Sequence, residues 1–209
     1  MPKPKVSRKI TMPSDLDRVP FLKREQLTDE SLSRVPFLTG EETINSDGKF
    51  VGPLNLPHGS AEYMIKRFQN AGLTKEAALG IVGNFMVESE LDPASEQKGG
   101  GPGRGLAQWG VKGRFDTDRI NLVKFAKERG KPWQDLNTQL DFVMYEMDNH
   151  PEYKRVKDKI NKAKTVEDAT NIFLKEYEKA NPKKAHADRR LNHALEFGAM
   201  VDTIPGFNG

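Results

Sequence analysis

The sequence predicts a mainly α-helical domain that follows an extended arm. From about residue 60 onward, apolar residues recur at the spacing of helix faces. Residues 1–58 instead carry seven of the 13 prolines, and their apolar residues form isolated clusters without a period. The alternation typical of strands is absent, although a short hairpin fits near the glycine-rich loop at 99–105. We therefore divide the chain into an arm, 1–58, and a helical domain, 59–209.

The arm contains a short internal repeat. Residues 16–22 read LDRVPFL, and residues 32–38 read LSRVPFL. Apolar clusters in a polar chain favour a binding role, and two linked copies suit a repeated or symmetric partner. The alternative is a duplicated segment that folds back onto the helical domain. The predicted partner-binding residues are Arg18, Val19, Pro20, Phe21, Leu22, Arg34, Val35, Pro36, Phe37 and Leu38.

The helical domain begins with two strongly marked helices. Ser60 and Thr74 are predicted to cap them, because short polar side chains satisfy the free amides of a first turn. The second helix has a broad apolar face over residues 77–86 and contains Gly80 and Gly83, so we expect it to be buried and closely packed. Further helices are predicted over 117–129, 135–148, 151–162, 166–180 and 186–203.

Composition excludes several classes of function. The 33 basic and 30 acidic residues give a net charge of only +3, which is not the charge of a dedicated nucleic-acid binder. The absence of cysteine excludes disulfides and Cys-ligated zinc, and the four scattered histidines predict no metal site and no cofactor. Neither a membrane-spanning run nor the apolar core of a signal peptide is visible. We therefore expect synthesis in a cytoplasm and delivery by something else.

Glu88 is the candidate acid. It sits at the C-terminal end of the most apolar helix, next to Val87, and Pro93 forces that helix to end shortly afterwards. The helix dipole and burial both disfavour a charged carboxylate at this position. The sequence therefore predicts that Glu88 keeps its proton in an apolar slot, as a general acid requires. A partly exposed glutamate without a role is the alternative.

The glycine-rich loop leads into a second group of candidates. Five glycines lie between residues 99 and 105, which allows close approach of the backbone to a ligand. The loop lacks the Lys-Ser/Thr of a phosphate loop and no strand precedes it, which excludes nucleotide binding. Gln108 offers an amide and Trp109 a flat apolar face, groups that suit a sugar subsite. A buried core position is the alternative for Trp109.

Several motifs, taken together and in order, resemble those of the phage tail lysozyme family. They are GNFMVESELDP at 83–93, GRGLAQW at 103–109, GKPWQDL at 130–136, QLDF at 139–142, and a late group that includes Ala169, Phe173, Glu176, Tyr177, Glu178 and Arg190. The pairing of Glu-Ser with Gly-Leu-Ala-Gln is also similar to that of goose-type lysozymes and soluble lytic transglycosylases. The resemblance covers about residues 60–203 and none of the arm.

The resemblance implies a lysozyme-like helical domain that cuts peptidoglycan glycan strands, with Glu88 as the catalytic acid. The implied substrate-binding residues are Ser89, Gln108, Trp109 and Tyr177. It also implies a phage virion or tail protein, made in the host cytoplasm, that opens the cell wall for genome delivery. The arm would then bind a virion or tail component.

Two details of the pattern leave alternatives open. Position 90 is usually small in the family, often glycine, whereas this chain has Glu90; we expect Glu88 to face the cleft and Glu90 the solvent. A hydrolase needs a second carboxylate, for which Asp92, Glu96 and Asp116 are candidates, whereas a lytic transglycosylase needs only one glutamate. Hydrolysis and transglycosylation both remain open.

Two other functions compete with this interpretation. A structural virion protein that retains the fold without turnover predicts a disrupted cleft, or Glu88 ionised beside a cation. A free endolysin for host lysis leaves the repeated arm without a purpose unless it binds wall or membrane.

Overall fold

The computed structural model describes residues 43–44, 50–51, 59–180 and 185–207. Both copies of the arm repeat, residues 18–22 and 34–38, lie outside this part of the chain, so their docking role stays a prediction. Towards the end of the arm, strand β1 (Thr43–Ile44) pairs antiparallel with strand β2 (Phe50–Val51).

The described part of the helical domain consists of seven α-helices, one π-helical turn and a second short hairpin. Its elements are α1 (Ala61–Asn70), α2 (Lys75–Ser89), β3 (Gly103–Arg104), β4 (Trp109–Gly110), α3 (Leu122–Glu128), α4 (Leu136–Asn149), α5 (Lys154–Lys162), α6 (Val166–Ile172), the π-helical turn Phe173–Glu178 and α7 (Ala187–Val201). Strands β3 and β4 pair antiparallel, which confirms the hairpin expected near the glycine-rich loop. The mainly helical fold class is likewise confirmed.

Local capping determines where the first two helices begin. The Ser60 hydroxyl accepts a hydrogen bond from the Tyr63 amide at 3.1 Å, and the Thr74 hydroxyl accepts one from the Ala77 amide at 3.2 Å. Each bond satisfies an amide that has no partner within its helix. Both predicted caps are confirmed.

Helix α2 is the central helix, and it packs against α1, α6 and α7. Its two glycines allow the neighbouring backbones to approach. A Cβ atom at Gly80 would lie 2.7 Å from the Thr170 amide nitrogen, and one at Gly83 would lie 2.7 Å from the Arg190 carbonyl oxygen. Any larger residue would push α6 or α7 away. The close packing predicted for this helix is confirmed.

The helix predicted over residues 117–129 is shorter than expected. Residues 113–118 instead form a turn, in which the amides of residues 116, 117 and 118 donate to the Gly113 carbonyl. Asn121 then caps α3, because its side-chain oxygen accepts from the Lys124 amide at 2.8 Å. Because Asn121 caps a helix that begins at Leu122, residues 117–120 stay outside the helix despite their helical sequence pattern.

The end of α2 also differs from the expectation. The helix stops at Ser89, and Glu90 adopts a left-handed conformation with φ +56°, three residues before Pro93. The Glu90 amide donates to the Met86 carbonyl and closes the last turn. Glu88, the candidate acid, therefore lies in the last turn of α2 and is partly exposed. No helix in the described ranges is long and apolar enough to cross a membrane.

Candidate functional site

A cleft of about 580 Å³ lies at the C-terminal end of α2. It is bounded by the last turn of that helix, the loop that follows it and the turn before β4. The lining residues are Val87, Glu88, Ser89, Glu90, Asp92, Ser95, Glu96, Gln97, Lys98 and Gln108. The glycines of the loop at 99–105 are not among them; the cleft is lined by the residues just before the loop and by Gln108 after it. Glu88 and Gln108, predicted from separate motifs, lie in the same cleft.

Glu88 stands in a cluster of charged side chains, not in the apolar slot that the sequence predicts. Its Oε1 accepts a hydrogen bond from Nη2 of Arg190, and Nη1 of the same guanidinium donates to Oε2 of Glu178 at 2.7 Å. Both carboxyls are therefore held beside each other by one guanidinium. The sequence prediction is wrong here because it rests on the helix of Glu88 alone. The charged neighbours come from α7, which carries Arg190, and from the π-helical turn, which carries Glu178.

Arg190 is held in place by its own hydrogen bonds. Its Nε donates to the Ala185 carbonyl at 2.6 Å, and its Nη1 donates to the Asn84 side-chain oxygen at 3.0 Å. The Arg190 side chain is 3% exposed, so water does little to compensate its charge. The guanidinium therefore forms a rigid platform beneath the two carboxyls.

Glu178 is the buried member of the carboxyl pair. Its side chain is 3% exposed, compared with 22% for Glu88. Burial raises the pKa of the Glu178 carboxyl well above its usual range, and the Glu88 carboxyl raises it further against the attraction of Arg190. Its Oε1 has no hydrogen-bond donor among the described residues. A protonated Glu178 could use this oxygen as a donor.

Ser89 connects the end of α2 to the hairpin, and Gln108 lies within the hairpin. The Ser89 hydroxyl lies 3.1 Å from the Phe85 carbonyl oxygen and 3.0 Å from the Leu106 carbonyl oxygen, so it can donate to either. Gln108 donates to the Gly105 carbonyl at 3.0 Å. Both residues line the cleft, but Ser89 is buried and its hydroxyl is engaged with backbone. Its position explains why a serine follows the glutamate.

Trp109 and Tyr177 lie in the core, 1% and 0% exposed. Trp109 Nε1 donates to Glu146 at 3.0 Å, and the Tyr177 hydroxyl donates to the same carboxyl oxygen at 2.5 Å. Arg114 completes this group with an ion pair to Glu146 at 2.7 Å. The predicted contact of the two rings with a sugar stays a prediction, but their present positions offer no surface to a ligand.

The remaining acidic candidates are placed differently. Glu90 is exposed and lies 3.4 Å from Lys98, but it also lines the cleft, which the expectation that it faces the solvent did not include. Asp92 and Glu96 line the cleft together with Glu88, whereas Asp116 does not and accepts instead from the Lys112 amide. Within the described ranges, no group of three or more histidine or acidic side chains is arranged to hold a metal ion.

Several residues that organise the site were not predicted as site residues. Gln139 is fully buried, accepts from the Leu106 amide at 2.8 Å and donates to the Pro93 and Trp133 carbonyls. Glu146 lies seven residues further along the same face of α4. Two buried polar residues at this spacing in an apolar helix face are a readable signal of a polar network. Glu178 and Arg190 entered only as parts of the resemblance.

The helical domain, the cleft and its glutamate define a lysozyme-like protein. The chain belongs to the phage tail lysozyme family, whose profile matches residues 59–200. It is also similar to "Morphogenesis protein 1" of Bacillus phage B103, with 27% identity over 133 residues. That alignment covers 59% of this chain and 34% of the relative, so the chain spans about a third of the length of that protein. The family and the relative both belong to bacteriophages.

Proposed function

We propose that this protein cuts the glycan strands of peptidoglycan, with Glu88 as the general acid. The observation that carries the proposal is the position of Glu88: it lines a cleft large enough for a sugar chain, and its carboxyl is 22% exposed on a rigid support. Glycoside cleavage requires a carboxylic acid that protonates the leaving oxygen. Membership of the phage tail lysozyme family supports the same substrate class.

The other charges of the cleft suit this reaction. Asp92 and Glu96 lie around the same space, with Lys98 as the basic residue of the lining. The transition state of glycoside cleavage carries positive charge on the sugar ring, which acidic surroundings stabilise. Asp92 and Glu96 are the candidates for a second carboxylate in a hydrolase; a transglycosylase would need neither.

One observation favours the competing structural role. Glu88 is paired with a cation, which is what a retained fold without turnover predicts. Arg190 is shared with Glu178, however, so the cluster contains two carboxyls for one guanidinium. The cluster can therefore hold a proton beside Glu88 despite the ion pair.

The test is digestion of purified peptidoglycan by the wild type, Glu88→Gln and Glu90→Gln, with the soluble products identified by mass spectrometry. We expect products from the wild type and from Glu90→Gln, the matched control on the same cleft, and none from Glu88→Gln. Reducing ends would identify a hydrolase and anhydro ends a transglycosylase. A wild type that releases nothing where a control lysozyme works would favour the structural role.

We also propose that the protein acts from the phage particle and opens the wall locally during genome delivery, with the arm bound to a virion or tail component. The family description and the name of the relative support this setting. Mass spectrometry of purified virions tests it, since a free endolysin would be absent from washed particles. Loss of the protein from virions on deletion of residues 16–38 would support the arm as the tether.

A further inference from the structure

The two carboxyls and one guanidinium at the cleft leave the charge of the cluster unbalanced. Glu88 comes from α2, Glu178 from the π-helical turn and Arg190 from α7. With both carboxyls ionised, the cluster would carry one excess negative charge, and its deepest members are 3% exposed. Two negative charges on one largely buried guanidinium repel each other, so ionisation of both carboxyls is strongly disfavoured. One bound proton makes the cluster neutral.

We propose that Glu88 and Glu178 hold one proton between them over Arg190, and that Glu178 is a positioning residue that keeps this proton available to Glu88. The inference rests on the proposed function for its catalytic part, but the shared proton can be tested without activity. Arg190 binds one oxygen of each carboxyl, so it stabilises whichever of the two is ionised. The deeper burial of Glu178, 3% exposed against 22% for Glu88, favours the proton on Glu178 at rest, and Arg190 then stabilises the ionised Glu88.

The geometry of Glu178 fits a proton donor to Glu88. Its Oε2 accepts from Arg190, which leaves Oε1 buried without a donor among the described residues. An ionised carboxylate with a buried oxygen that receives no hydrogen bond is energetically costly, and protonation of the carboxyl lowers this cost. The Glu88 carboxyl is bound to the same guanidinium, which makes it the neighbouring acceptor for a proton of Glu178. Arg114 is the other cation that acts on Glu178, and its attraction is a minor effect.

The π-helical turn explains why Glu178 is available. Tyr177 and Glu178 are successive residues, yet the first reaches Glu146 in the core and the second reaches Arg190. The turn then ends at Lys179, which has φ +54°. Such turns are rare and occur often at functional sites. The irregular backbone here directs two neighbouring polar side chains into two different buried clusters.

Glu88 transfers the shared proton to the glycosidic oxygen while the bond between that oxygen and the anomeric carbon breaks, and the electron pair leaves with the oxygen. Both carboxyls are then ionised beside one guanidinium, next to a sugar that has become positive. The proton returns from the nucleophile, which is water in hydrolysis or a hydroxyl of the sugar itself in transglycosylation.

The first test is the pH profile of kcat/KM on peptidoglycan for the wild type and Glu178→Gln. Glutamine preserves the volume and an N–H donor but cannot ionise, so Arg190 is left with Glu88 alone. We expect the alkaline limb to move to lower pH by at least about one unit, because the pair no longer has to avoid double ionisation. Activity at the acidic end should stay within about tenfold. Glu176→Gln, on the same turn but paired with Lys159 at the surface, is the matched control and should leave the profile in place.

A profile of Glu178→Gln that coincides with the wild type would overturn the proposal, as would an equal loss of activity at every pH in a folded variant. The second test needs no activity. The carboxyl carbon of Glu178, followed by ¹³C NMR, should show the protonated form at pH 6, where ordinary glutamates are ionised, and its midpoint should fall in Glu88→Gln. An ionised Glu178 at pH 6 would overturn the proposal. If the wild type cuts no peptidoglycan but Glu178 retains its proton, the proposed function fails and the shared proton stands.

Discussion

In the described part of the domain, two clusters of arginine and glutamate differ in charge balance. In the core, Arg114 faces one carboxyl, Glu146, which is 0% exposed. At the cleft, Arg190 faces two carboxyls, Glu88 and Glu178. The core cluster is neutral without any bound proton, whereas the cleft cluster becomes neutral only by binding one.

The two clusters also differ in how completely their carboxyl oxygens are hydrogen-bonded. Glu146 receives donors from Trp109 at 3.0 Å, Tyr177 at 2.5 Å and Arg114 at 2.7 and 2.8 Å. Burial raises the pKa of the Tyr177 phenol well above its usual value, so this donor keeps its hydrogen. The cleft cluster instead contains a buried oxygen of Glu178 that receives no donor from the described part of the chain. A network in which every polar group is hydrogen-bonded makes a core rigid. Networks with unsatisfied groups are expected at functional sites.

The largest effect on stability should come from the core cluster. Glu146→Ala removes the partner of a buried guanidinium and the acceptor of two aromatic donors. We expect the free energy of unfolding to fall by about 3–5 kcal/mol, measured by urea denaturation. The control is Glu196→Ala, an exposed partner of His193 that should cost less than about 1 kcal/mol. Equal losses in the two variants would contradict the difference drawn between buried and exposed charges.

The cleft cluster should instead make stability depend on pH. The raised pKa of Glu178 means that the folded protein binds a proton that the unfolded chain has released above about pH 4.3. The stabilisation that this proton provides is complete below about pH 4.3. It is lost as the pH rises through the pKa of Glu178 in the folded protein. We expect the wild type to lose up to about 1.4 kcal/mol per pH unit more than Glu178→Gln over this range.

Urea denaturation of both proteins between pH 4 and pH 7 measures this difference. Burial raises the pKa of Asp141 to about 6 and adds a slope of the same sign. That slope is common to both proteins, so it cancels when their curves are subtracted. Parallel curves would show that Glu178 binds no extra proton in the folded state.

A smaller effect is expected where α2 ends. Glu90 has φ +56° and Leu91 has φ +63°, a region that is unfavourable for residues with a Cβ atom. Glu90→Gly should relieve this strain and raise the free energy of unfolding by about 0.5–1 kcal/mol. Thermal denaturation of the variant beside Glu96→Gly, at a position with negative φ, measures it. A loss of stability at position 90 would contradict the inference from backbone conformation.

The sequence predicts those parts of the molecule that depend on neighbouring residues. The caps at Ser60 and Thr74, the burial of α2 and the hairpin all follow from patterns a few residues long. The surroundings of Glu88 do not, because Arg190 is 102 residues away in the chain and Glu178 is directed by an irregular turn. An apolar helix end therefore predicts a slot without charge, and only the packing of α7 against Gly83 shows the guanidinium beneath it.

The most direct test of the central claim is to measure both activity and stability for Glu88→Gln. If Glu88 is the acid of an unbalanced cluster, its replacement should lower the initial rate on purified peptidoglycan by about 10²–10⁴-fold. The free energy of unfolding should not fall, because Glu178 and Arg190 then form a balanced pair. A variant that keeps its activity, or one that loses activity only in proportion to a loss of folded protein, would contradict the account.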